Sequence, residues 1–191
     1  MSGFTAVGFY LISLFFGLII FSLWLRIALR YLRISALSQL GQLIHSITTP
    51  LIQPFNTLLK QKYKPGQKFD HMAFIILVCV EFIKITSISF LIFHALIPFV
   101  YIVLYVLADL VIQPCNILFY AIIIRVIMSF ANPSWHHPIN DFLRLLTNPL
   151  LILGRKIVPD ISGFDFSPFI IMILLKVITL FISASLPGNL L

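Results

Sequence analysis

A chain of 191 residues that is 60% hydrophobic, 10% charged and has a mean hydropathy of +1.07 does not have the composition of a soluble domain, which carries about 25% charge. Its net charge of +7 does not point to nucleic acid. Seven of the 13 Lys and Arg lie between Arg26 and Lys68 and four between Arg125 and Lys156, so they flank apolar runs and form no separate phosphate-binding face.

The first element is an apolar helix over 4–26, long enough to cross a bilayer. It lacks the basic n-region and small-residue cleavage site of a signal peptide, so it is expected to be retained. Arg26 ends it. An amphipathic segment follows, with Leu40, Leu43, Ile44 and Ile47 at the i, i+3, i+4, i+7 spacing of a helix lying in the interface. Thr48-Thr49-Pro50 then suits the first turn of a new helix, where the missing proline N–H costs nothing. Lys60, Lys62, Lys64 and Lys68 form a basic tract suited to anionic lipid, and Pro65 stops the segment. Asp70 is expected to cap a second span over 72–97, accepting orphan N–H groups at the positive end of the helix dipole.

Ile97-Pro98 is the obvious break before a third span over 102–129. That span contains Asp109 and a Gln113-Pro114-Cys115-Asn116 notch, which fits a kink or a short re-entrant piece. Arg125 closes it. After the His136-His137 loop the earlier plan recurs. Slid by the interval from Arg26 to Arg125, Thr48 falls on Thr147, Pro50 on Pro149, and the four apolar positions fall on Ile139, Phe142, Leu143 and Leu146. Asn148 is placed to cap the helix that Pro149 would begin. Further on, at the interval from Asp70 to Asp165, Glu81 faces Lys176. Asp165 and Ser167-Pro168 open a fourth span over 167–185, which Pro187-Gly188 ends. The reading is therefore all-α and polytopic: four spans in two parallel repeats, 1–97 and 98–191. Basic loops would lie in the cytoplasm and both termini on the other side.

Glu81 and Lys176 lie equally far into their spans, roughly 16 Å from the capping aspartate at about 1.5 Å per residue. A charge at that depth costs at least ~2.5–3.5 kcal/mol and usually has a partner or a task. The two are expected to pair across the pseudo-twofold axis, with Lys84 competing for Glu81. The pair reads as a structural device or as a step on an ion path. Arg26 and Arg125 either snorkel to headgroups, cap the short helix behind them, or pair with the aspartate of their own unit. Cys79 and Cys115 read as small buried hydrophobes. No catalytic set, metal spacing, haem pair or nucleotide motif appears, so no cofactor is expected.

The second half, "RVIMSF…NPLLILGRKIVPDISGFDFSPFIIMILLK", resembles the YggT family of bacterial integral membrane proteins, whose domain plastid proteins share. The features that carry it are Arg125, the Thr147-Asn148-Pro149-Leu150 step, the Arg155 to Pro159 run, and Gly163-Phe164-Asp165-Phe166-Ser167-Pro168. The first copy keeps Arg26, Pro50, Pro54 and Asp70. It has Ala73 where the second has Pro168, and it lacks the Gly-x-Asp turn. The resemblance implies a non-enzymatic protein of the bacterial inner membrane, linked to osmotic-stress tolerance and cation balance, cell division or, in plastids, cytochrome assembly. Two functions follow as expectations. One is an interaction or assembly component with membrane-protein partners or further copies of itself. The other is an oligomeric conductor of small cations.

Overall fold

The computed structural model describes residues 3–34, 38–58, 69–131, 138–158 and 165–187. The described chain is all-helical: α1 (Gly3–Tyr31), α2 (Gln39–Leu58), α3 (His71–Phe93), α4 (Phe99–Ala131), α5 (Pro138–Ile157) and α6 (Ser167–Ala184). Four of these, α1, α3, α4 and α6, are long and apolar enough to cross a membrane. Their outer faces carry large exposed apolar side chains, such as Phe4 and Phe15 on α1 and Val177 and Phe181 on α6. Hydrocarbon is the solvent that makes such faces cheap, because every backbone group is already bonded within its helix.

Two compact units divide inside α4, between Leu110 and Val111, with 186–191 belonging to the first. The division falls later than the 97/98 boundary read from the sequence. In the first unit, α1, α2 and α3 pack pairwise. Leu23 and Ile27 of α1, Ile52 of α2, and Met72, Ala73, Ile76 and Leu77 of α3 form one buried cluster. Farther along α3, Ile85 and Ile88 pack on Ile102, Tyr105 and Val106 of α4. In the second unit, Ile122 of α4, Leu151 of α5, and Ile171 and Leu175 of α6 make the core.

The helix ends follow local chemistry. The Asp70 carboxylate accepts the Ala73 N–H at 3.1 Å, satisfying an orphan donor of α3. α3 stops at Phe93, short of the 97 expected from Pro98. His94 takes a left-handed conformation at φ 52°, and its N–H bonds back to Phe90 O, the single-residue termination that ends many helices. The Ser89 hydroxyl ties the turn down by donating to Ala95 O and accepting the Ile97 N–H.

The prolines do not restart helices as the sequence suggests. α2 runs unbroken through Pro50 and Pro54, α5 through Pro149 and α4 through Pro114. Pro50, Pro54 and Pro149 stand on the exposed sides of their helices. The carbonyl each leaves without a donor therefore lies away from the core, where the loss is cheapest. In place of a cap, Asn148 is a mid-helix residue. The buried stripe of α2 is Gly41, Ile44, Thr48 and Ile52, and that of α5 is Asn140, Leu143, Thr147 and Leu151. These positions match one for one at the Arg26-to-Arg125 interval. Of the apolar positions expected on an interfacial helix, Leu43 and Ile47 are exposed and Ile44 is buried. Cys79 is exposed rather than buried, and Cys115 is half-buried; an apolar thiol on a lipid-facing surface has no need of the core.

α5 and α6 meet at Gly154. A Cβ there would stand 2.8 Å from Ser167 Cβ and 3.2 Å from the Ser167 carbonyl oxygen, the latter being backbone that cannot swing away. Gly17 has nothing within 4 Å of such a Cβ. Gly154→Ala is expected to destabilise the protein by about 1–3 kcal/mol through overpacking, read as a lower thermal midpoint in detergent. Gly17→Ala should leave the midpoint unchanged or raise it.

Candidate functional site: the charged clusters of the two units

The apolar cores leave few places for charge, and in each unit the charges gather at the helix ends where α1 and α4 carry arginine. In the first unit Asp70 is the centre. Its Oδ2 lies 3.2 Å from Arg26 Nε and 2.8 Å from Arg30 Nη1, and its side chain is only 6% exposed. Arg26 Nη1 also donates to Thr48 Oγ1 at 2.9 Å, and that hydroxyl donates to Ile44 O. One carboxylate thereby caps α3, neutralises two guanidiniums of α1, and reaches α2 through Arg26. Helix α1 continues beyond Arg26 to Tyr31, which brings Arg30 round by one turn.

Burial works against ionisation of Asp70, but the Ala73 N–H and the guanidiniums of Arg26 and Arg30 outweigh it and hold the carboxyl below its ordinary value. Burial and the adjacent Arg26 push the His45 imidazole down in turn, so this residue of α2 adds no third cation at neutral pH.

The second unit repeats part of this. Arg125 Nη1 donates to Thr147 Oγ1 at 2.6 Å, and Thr147 donates to Leu143 O, the same pair of bonds in the same register. The carboxylate differs. Arg125 Nη1 meets the neutral Asn148 Oδ1 at 2.8 Å, while Asp165 turns to Arg155, whose Nη2 and Nε lie 2.7 and 3.0 Å from Oδ2. Asp165 Oδ1 accepts the Ser167 N–H at 2.9 Å and the Ser167 hydroxyl. Burial opposes ionisation of Asp165, but the bonds from Ser167 and Arg155 hold its carboxyl below the usual range. Among the described residues Arg125 makes no ion pair. Beside it is a cavity of about 320 Å³, with Arg125, Arg155 and Asp165 on its polar side and Val126, Phe130, Leu151 and Phe169 among its apolar walls.

Deeper in the spans, Lys84 Nζ lies 3.1 Å from Glu81 Oε2 and also bonds Asp109 of α4. All three are buried, and among the described residues Glu81 Oε1 has no hydrogen-bond partner. Within the second unit, Lys176 Nζ contacts Asn116 Oδ1 at 3.5 Å and sits 4.6 Å above the Phe119 ring, a cation–π contact. The partners described for Glu81 and Lys176 lie within their own units; the pairing of the two with each other suggested by the sequence would run between the units. Thr48, Thr147, Arg30 and Asp109 were not singled out as site residues. Asp109 carried a usable signal, being a lone carboxylate in a span that must find a cation. Gly163, the Lys60–Lys68 tract and His136-His137 lie outside the described residues. Among the described residues no three His, Cys, Asp or Glu come together to hold a metal ion.

Four membrane-crossing helices with arginines gathered at the helix ends define a multi-pass α-helical membrane protein. Residues 93–186 match the CCB3/YggT family model, and that match together with the relatives below supports a YggT family protein. It is 25% identical to the YggT protein of Escherichia coli, described as uncharacterised, over 95% of this chain and 93% of that one. It is 23% identical to an uncharacterised protein of Pseudomonas aeruginosa over 95% and 91% of the two chains. No solved structure matches.

The two aspartates differ in burial, so their removal separates them. Asp70→Asn leaves two largely buried guanidiniums without a carboxylate and is expected to cost about 3–5 kcal/mol. Asp165→Asn, at a pair whose Arg155 side chain is 52% exposed, should cost about 0–1 kcal/mol. Thermal unfolding of both variants in detergent checks the order. Because the Asp70 carboxyl is held low, its stabilisation is complete above the ordinary value near 3.8 and is lost as pH falls below it. The wild-type midpoint should therefore fall on acidification below that value more steeply than that of Asp70→Asn.

Proposed function

We propose that this protein is a non-enzymatic membrane component that works by interaction, docking other membrane proteins or further copies of itself in a bacterial cytoplasmic membrane. The observation that carries the reading is how Lys84 and Lys176, the two basic residues deep in the spans, are held. Lys84 lies between Glu81 and Asp109, and Lys176 between Asn116 and the Phe119 face. Cations closed off by local partners hold helices in register and are poor steps for a moving ion. The exposed apolar residues of α2 and α5, Leu43 and Ile47 on one and Ile152 and Leu153 on the other, are available for lipid or a partner. The matched buried stripes and the two Arg–Thr bonds support two tandem repeats. The distribution of Lys and Arg supports basic segments in the cytoplasm, with the termini opposite.

A second reading, conduction of a proton or small cation by several copies, is favoured by one atom. Glu81 Oε1 is buried and unpartnered, and such an oxygen is costly unless something visits it. The osmotic and division links of the family would fit either reading.

Potassium, sodium and proton flux into liposomes containing the purified full-length protein tests the choice. No flux above empty liposomes is expected, together with site-specific photocrosslinks from Ile47 and Ile152 to protein in native membranes. Flux that Glu81→Gln abolishes would replace the first reading with the second. Crosslinks to lipid alone would remove the docking role.

A further inference from the structure

We infer that the cavity of the second unit is a binding site for a phosphate-bearing anion, with apolar walls that suit the phosphate of an anionic phospholipid. The argument begins with the difference between the two arginine clusters. Arg26 has Asp70 within 3.2 Å. Arg125, its counterpart by position and by its bond to threonine, has among the described residues only the neutral oxygens of Thr147 and Asn148. Its charge is not compensated in the same way, and it faces an open volume of about 320 Å³.

Asp165 also lines this cavity and would oppose an anion if its oxygens faced it unbonded. Both are occupied: Oδ2 takes two bonds from Arg155, and Oδ1 takes the N–H and the hydroxyl of Ser167. Among the described lining residues, two guanidiniums and one carboxylate leave a positive balance. The first turn of α6, which begins at Ser167 and contributes Pro168 to the wall, adds the positive end of a helix dipole. Guanidinium is the side chain best matched to phosphate oxygens.

The remaining wall is apolar and reaches the outer surface, where Phe130 is 69% and Phe169 46% exposed. A headgroup phosphate on Arg125 would leave its acyl chains against these rings, on the face already in contact with hydrocarbon. This is a defined site, distinct from general snorkelling of arginine to the interface, and it goes beyond the interaction reading without needing it.

The test uses full-length protein in micelles doped with phosphatidylglycerol, with retained lipid counted by native mass spectrometry. Arg125→Gln removes the charge. Ser129→Trp fills the cavity from an exposed position and leaves every charge in place, so it serves if the first variant folds poorly. One phosphatidylglycerol retained per chain is expected, with retention about tenfold weaker in either variant, in line with the loss of a charge-assisted contact. Inorganic phosphate added to the complex separates the sources: lipid that phosphate fails to displace identifies a headgroup site. Phosphate binding to lipid-free protein, lost in the same variants while no lipid is retained, identifies a site for the free anion. Equal retention by wild type and Ser129→Trp, or no phosphate ligand of either kind on the wild type, would overturn the inference.

Discussion

A single buried carboxylate organises the first unit. Arginine at the end of an apolar helix is expensive unless its charge is met, and here α1 brings two, one turn apart. Asp70 meets both while capping α3. Two helix ends and one side chain follow from that constraint. α1 must extend past Arg26, α3 must begin beside it, and α2 must present a hydroxyl where leucine would otherwise serve. Thr48 is fully buried on a stripe of Ile44 and Ile52. A hydroxyl at such a position is costly unless bonded, and both of its bonds are made.

The second unit keeps the arginine–threonine bond and lets the carboxylate go. A closely packed α5–α6 contact takes over part of the task, with Gly154 against the backbone of Ser167. Asp165 is drawn to Arg155 at the end of α5: among the described residues α2 has no basic residue in its last turn, whereas α5 has Arg155 and Lys156.

The four spans were legible because hydropathy over twenty residues is a strong signal, and the cap at Asp70 because a carboxylate before an apolar run has a specific task. Of the alternatives open for the arginines, pairing with the unit's own aspartate holds for Arg26 and not for Arg125. Spacing along the chain does not reveal which way a side chain turns. The same limit hid Arg30, which needed α1 to be a turn longer, and Asp109, which needed the rotation of α4 about its axis. The prolines misled for a different reason. Local propensity argues for a break at Pro50 and Pro149, but a helix with a buried stripe on both sides of the proline gains more from continuity than it loses in one hydrogen bond. The apolar face drawn through Leu43, Ile44 and Ile47 is divided between two surroundings: Leu43 and Ile47 are exposed, Ile44 is buried, and the protein-facing stripe is the one with threonine at its centre.

The placing of Glu81 and Lys84 on one helix bears on biogenesis. α3 is synthesised before α4, and its two opposite charges sit three residues apart, so it carries its own counterion into the lipid. Asp109 has no cation within reach on its own helix, Arg125 lying more than four turns farther on, and would enter alone, at ~2.5–3.5 kcal/mol on insertion scales. Its only relief among the described residues is Lys84, already in the membrane. Integration of this protein thus has a built-in order: the helix holding the self-neutralised pair is the one against which the later, unpaired carboxylate can be accepted.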